Sequence, residues 1–184
     1  SRQRMNIQKK TVDRLNDLLY QLNGISRSLL DFLHSDDTTQ IINKILGDVL
    51  HQFNGDRTYI VEYDRVNRLQ SRTYEMTAPG MVSYKEFQQN DPLCEDEWWT
   101  KQILSSSSII AYTPKNFPKE ATYIKQKMIE HGVKSLMAVP LNSKDGVWGY
   151  MGIDIKKEYH EWSNEDYQWF NSLANIISIC MELH

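Results

Sequence analysis

The sequence predicts an α+β domain: an antiparallel sheet of five or six strands, with N- and C-terminal helices on one face and a mixed helix and loop insert over the other. Three observations predict it. Apolar residues recur at the helical period before about residue 53 and after residue 163, and at a period of two in the paired segments between. Those segments come in adjacent pairs joined by short turns, a connection that only antiparallel strands allow. The stretch 81–117 obeys neither period for long and so reads as an insert.

Residues 1–34 carry no Pro and are helical in pattern. Met5, Val12, Leu19, Ser26 and Leu33 share one heptad position, and Gln8, Leu15, Leu22 and Leu29 share the other. That is the 3.5-residue seam of a coiled coil. After the polar break Ser35-Asp36-Asp37, Ile41, Ile42, Ile45, Leu46, Val49, Leu50 and Phe53 predict a helix over about 39–53, ended by Asn54-Gly55. Thr58–Tyr63 and Leu69–Thr77 then read as strands, broken by Ala78-Pro79-Gly80. In the insert, Asp91-Pro92 followed by Glu95, Asp96 and Glu97 reads as the start of a helix carrying Trp98, Trp99, Ile103 and Leu104. Ile109–Tyr112 offers a short strand, and Pro118 opens a helix closed by His131-Gly132. Lys134–Asn142 and Val147–Lys156 form a hairpin about Lys144-Asp145-Gly146. Ser163 and Asp166 have capping-box spacing at the start of a last helix through Phe170, Leu173, Ile176, Ile177 and Cys180. The division expected is a helix over 1–34 and a globular domain over 35–184.

Composition narrows the function. The 184 residues are 40% hydrophobic and 24% charged, too apolar for a disordered chain. A net charge of −3 lacks the concentrated positive charge of a nucleic-acid binder. No apolar run approaches a membrane span, so no membrane contact is expected of this segment, and no secretory signal opens it. Two distant cysteines, Cys94 and Cys180, make neither a disulfide framework nor a zinc cluster and favour a reducing cytoplasm. None of the five histidines is paired at metal-ligand spacing, so no metal is expected. No phosphate loop and no nucleophile–base set is apparent, so no catalytic residue is assigned and no enzyme is expected. The start at Ser1 and the stop in an apolar helical pattern suggest a piece of a longer protein.

The stretch Lys134-Ser135-Leu136-Met137-Ala138-Val139-Pro140-Leu141 is followed by Gly146 and by Val147-Trp148-Gly149-Tyr150-Met151-Gly152-Ile153-Asp154. With the earlier Asp56-Arg57-Thr58-Tyr59-Ile60-Val61-Glu62-Tyr63-Asp64, these residues resemble a GAF domain over about residues 30–184. Tyr74-Glu75-Met76, Ala78-Pro79-Gly80, Trp98-Trp99 and Trp162-Ser163-Asn164-Glu165-Asp166 are similar to a subtype found in multidomain bacterial sensors, with Met76 standing where that subtype usually has Trp. The resemblance implies regulation rather than chemistry, usually upstream of a histidine kinase or a diguanylate cyclase. Some relatives reduce methionine sulfoxide with several pocket cysteines, and others hold a bilin through Cys, often beside His. Cys94 has neither a second Cys nor a His close in sequence. The sequence identifies no cofactor.

Strand parity supplies the candidate ligand site. Tyr59, Val61 and Tyr63 share one face of their strand, opposite Thr58, Ile60 and Glu62. Gly149, Met151 and Ile153 likewise oppose Trp148, Tyr150, Gly152 and Asp154. The mixed face, with Glu62, Tyr150 and Asp154, is assigned to the side under the insert, together with Tyr74 and Glu75. The plainer alternative is that Glu62 and Asp154 reach water near strand ends. Trp98 and Trp99 point about 100° apart on a helix, so one plugs the core and the other lines a cavity or its rim. The expected partners are a small molecule and a second copy. The dimer would form through Val12, Leu15, Leu19, Leu22 and Leu29, with Ile176 and Ile179 of the last helix. The expectation is a cytoplasmic sensor that biases its flanking helices; the alternative is a ligand-free spacer in the same kind of protein.

Overall fold

A computed structural model describes residues 1–21 and 37–183. Helix α1 spans Arg2–Gln21 and α2 spans Thr38–Gln52. Strands β1 (Arg57–Asp64) and β2 (Leu69–Thr77) follow, then the two-residue β3 (Asp91–Pro92) and helix α3 (Trp98–Leu104). Strand β4 (Ile109–Ala111), two short 3-10 turns and helix α4 (Thr122–Glu130) complete the insert. The hairpin β5 (Ser135–Ser143) and β6 (Gly146–Ile155) leads into α5 (Asn164–Leu183). The six strands lie in the order β3-β2-β1-β6-β5-β4, antiparallel throughout. The α+β class and the antiparallel sheet are as the sequence predicts.

Local chemistry sets these boundaries. Asp37 caps α2 by accepting from the Gln40 amide at 3.2 Å, and Asn54 turns the chain out of it with φ +48°. At α5 the Ser163 hydroxyl accepts from the Asp166 amide at 3.0 Å and the Asp166 carboxylate accepts from the Ser163 amide at 3.1 Å. That reciprocal pair satisfies two backbone donors at the helix start. The β5–β6 turn places Gly146 at φ +110°, a conformation that a side chain disfavours. One expectation fails: Asp91-Pro92 does not start a helix. Residues 91 and 92 pair instead with Gln70 and Leu69 at the sheet edge, where the N–H that Pro lacks is not needed, and α3 begins six residues later.

One core lies between the sheet and helices α2 and α5. Ile42, Ile45, Leu46, Phe170, Leu173 and Ile177 close over Ile60, Met137, Val139, Met151 and Ile153, all of them essentially without solvent contact. A second core lies beneath the insert, where Trp99, Ile103, Phe117 and Met128 cover Tyr59, Val61, Leu136 and Ala138. The sheet is therefore buried on both faces, but by different kinds of element.

Helix α1 runs close to α5. Met5 and Val12 of the seam are exposed, whereas the side chains of Leu15 and Leu19, and the whole of Leu22 and Leu29, lie outside the described residues. The last helix corrects two of the residues expected at a dimer contact. Ile176 and Ile179 are buried in the chain's own core, 1% and 4% exposed, so the extra apolar row of α5 is spent within the domain.

Candidate functional site

Beneath the insert a cleft of about 350 Å³ opens between the sheet, α3, α4 and the segment 78–90. Register decides what faces it. Tyr59 pairs with Gly152, Val61 with Tyr150 and Arg57 with Asp154, and cross-strand partners share a face, so Tyr59, Tyr150 and Asp154 all look into the insert. The assignment made from the sequence holds for Tyr150 and Asp154 and is reversed for β1. Glu62 shares its face with Ile60 and Thr58, whose hydroxyl donates to the Leu46 carbonyl of α2 at 2.8 Å, and that is the helix side. Tyr74 is corrected with it: it pairs with Ile60 and packs against the helix-side core. Trp148 also packs there, because a register shift between Leu141 and Asn142 breaks the alternation just before it.

A second register shift builds the charged part of the site. Between Ile60 and Val61 the partner on β2 jumps from Tyr74 to Arg72, so Arg72 as well as Glu75 falls on the insert face. Arg72 is only 6% exposed. Its Nη1 donates to Glu75 Oε2, and its guanidinium carbon sits 3.9 Å from the centre of the Tyr59 ring. Glu75 does not line the cleft; it accepts also from the Ser83 hydroxyl and from the Tyr84 amide at 3.0 Å, which fixes both Arg72 and the loop. Tyr84 in turn lies 4.0 Å from the Arg57 guanidinium carbon, and its hydroxyl is bonded to His131 Nδ1 at the end of α4 at 2.8 Å.

Across Tyr59 from Arg72 stands Asp154, which accepts from the Tyr59 hydroxyl at 2.8 Å. Burial raises the Asp154 carboxyl above the usual carboxylate range, opposed by the Arg72 charge and by the Tyr59 bond. Burial likewise pushes the Tyr150 phenol up to about 12 and raises Glu97 at the rim. Among the described residues Arg72 Nε and Trp99 Nε1 have no hydrogen-bond partner though buried in the wall of the cleft, and neither do Arg57 Nη1 and the Tyr63 hydroxyl, buried beyond its lining.

Of the two tryptophans, Trp99 lines the cleft, with its ring centre 5.4 Å from that of Tyr150, while Trp98 packs edge-on against Phe117 at 5.7 Å. The sequence reading missed Arg57, Arg72, Tyr84, Lys127 and His131. A signal existed for Arg72, a charged residue in the middle of a strand pattern, but its facing depends on the irregular pairing. Neither cysteine lines the cleft: Cys94 is exposed, and Cys180 is buried on the helix side, where desolvation raises its thiol to about 11. Among the described residues no group of three or more His, Cys, Asp or Glu could hold a metal ion, and no helix is long and apolar enough to cross a membrane.

The family model of the GAF domain matches residues 37–181. No curated protein matches the chain in sequence. Solved structures share its architecture at low identity. A far-red-absorbing dark-state domain with bound biliverdin has a TM-score of 0.68 and 13% identity over 94% of this chain and 98% of that one. The third GAF domain of a Synechocystis sp. protein, in its photoproduct state, has a TM-score of 0.65 and 15% identity over 80% and 94%. A GAF domain region from Geobacter sulfurreducens has a TM-score of 0.64 and 15% identity over 80% and 95%. These likenesses speak for the fold, and the family model covers well over half of the sequence: the chain belongs to the GAF domain family.

Proposed function

We propose that the chain is a non-catalytic sensor module of a cytoplasmic bacterial signalling protein, of the subtype carried by sensor histidine kinases or diguanylate cyclases. It binds a small molecule in the cleft under the insert and passes the bound state to its flanking helices. The observation that carries this reading is the cleft, which has room for a ligand and is lined by the buried, oppositely charged side chains of Arg72 and Asp154. Keeping charge out of water is costly, and a ligand bonded to both groups would offset part of that cost. The ligand-free spacer is the weaker reading, since a spacer has no use for such a wall. Covalent tetrapyrrole attachment is not proposed, because neither cysteine lines the cleft.

The relay is short. Asp154 stands next to the last residue of β6, and residues 156–163 lead directly into α5, beside which α1 runs. A ligand shifts these helices only by binding one of their arrangements more tightly than another. The seam exposed at Met5 and Val12 suits pairing with α1 of a second copy, a symmetric homodimer. Thermal-shift measurement against a broad metabolite library tests the sensor. At least one compound raises the melting temperature in proportion to the logarithm of its concentration, and a library without any such compound overturns the reading in favour of the spacer. Light scattering tests the pairing: the wild type has the mass of a dimer, and the double substitution Met5→Glu and Val12→Glu yields a monomer. A dimeric variant would place the interface elsewhere.

A further inference from the structure

We infer that the ligand of this cleft is a small zwitterion, with a cationic nitrogen placed at Asp154 and a carboxylate or similar oxyanion placed at Arg72. The inference rests on the sensor reading above and adds the chemical class. Two guanidiniums, Arg57 and Arg72, and two carboxylates, Glu75 and Asp154, are buried together around Tyr59 and Tyr84. The residues that line the cleft carry both signs, Arg72 and Lys127 against Asp91, Glu97 and Asp154, and of these Arg72 and Asp154 are the buried ones. A ligand carrying one charge could bond to only one of that buried pair and would leave the other out of water without a partner, which a protein interior penalises heavily. A zwitterion meets both.

The hydrogen bonds show where its two poles belong. Glu75 is filled by three donors and has little left to offer. Among the described residues the Asp154 carboxylate accepts one side-chain hydrogen bond, from Tyr59, and the Arg72 guanidinium makes one, to Glu75. Both line the cleft, and no ion pair joins them, because the Tyr59 side chain stands between them. An acceptor and a donor of opposite charge are thus held apart along one wall. An apolar or uncharged ring would desolvate both poles and return nothing, whereas a zwitterion bonds to each. The aromatic rings of Trp99 and Tyr150 stand on the same wall, and their faces attract a cationic nitrogen.

Isothermal titration calorimetry on the full chain tests this with probes that differ in one charge at a time. The probes are the standard L-α-amino acids and glycine betaine, the methyl esters of the amino acids (cation only), and their N-acetyl forms (anion only). At least one zwitterion is expected to bind, with its ester and its N-acetyl form each weaker by about tenfold or more. Asp154→Asn should weaken the zwitterion and leave the N-acetyl form unchanged, a pattern that a merely unfolded variant would not give. Equal binding of the ester or the N-acetyl form overturns the inference. So does a panel in which no zwitterion binds while another library compound does, and that result leaves the sensor reading intact. A chain that binds no compound of either set loses both.

Discussion

The two faces of the sheet are held by different means. On the helix face, Ile60, Val139, Met151 and Ile153 meet the apolar stripes of α2 and α5, and contacts of this kind are non-directional. On the insert face Arg57, Arg72, Tyr59 and Asp154 meet partners that must stand at set distances and angles. The first face gives the domain its stability. The second spends part of that stability to keep charge in place. A binding site is the usual location of such an arrangement.

Truncation is the largest way to break the comparison. Phe170→Ala, deep on the helix face with no solvent contact, should cost about 3–5 kcal/mol in urea unfolding. Phe117→Ala, 7% exposed on the insert face, should cost clearly less, because the site lies near the surface and its neighbours can close over it. Equal losses would mean that both faces are packed to the same density.

A subtler change acts on the insert face alone. Gly152 lies under the Tyr59 ring, and a Cβ there would come within 2.4 Å of it. Gly152→Ala must push Tyr59 aside, breaking its bond to Asp154 and its contact with Arg72. The expected cost is about 1–3 kcal/mol, with altered near-ultraviolet circular dichroism and an unchanged far-ultraviolet spectrum. An unchanged tyrosine signal would show that the ring stays in place and the backbone gives way instead.

The smallest effect sharpens the electrostatic contrast. Burial raises the folded-state pKa of Asp154, so folding takes up a proton there. The stability this contributes is present below the ordinary carboxyl pKa and is lost as pH rises through the raised value. Asp154→Asn removes that loss, so the advantage of wild type over the variant should shrink between about pH 3 and pH 7. Unfolding measured at both ends checks the sign, and an advantage that grows with pH would mean that Arg72 outweighs burial.

Most of the architecture was legible because it follows from periodicity. Helix α2, strand β2, the final hairpin and the capping box of α5 each carry a local signal that tertiary packing reinforces. The facing of β1 was not legible. Tyr59, Val61 and Tyr63 are as apolar as a core requires, and so are Thr58 and Ile60, leaving Glu62 as the sole hint, and it misleads. The placement of Trp148 and Arg72 turns on register shifts that composition does not announce. Tyr84 and His131 are 47 residues apart and meet only in the folded chain. Of the site residues read from the sequence, Trp99, Tyr150 and Asp154 line the cleft, Glu75 stands behind Arg72, and Trp98, Glu62 and Tyr74 lie elsewhere.

The segment 78–90 has a kinetic consequence. The Val82 carbonyl receives Arg57 Nε, the Gln88 carbonyl receives the Arg72 amide, Gln89 Nε2 donates to the Arg72 carbonyl, and Tyr84 is tied to both Glu75 and His131. Each bond is modest, about 0.5–1.5 kcal/mol net, but they share one short stretch of backbone and must be given up together. Withdrawing the segment therefore meets a barrier that grows with their sum rather than with any single bond. In the proposed sensor, a molecule held in the cleft would lie against this same segment, since Tyr84 and Gln88 are part of the lining.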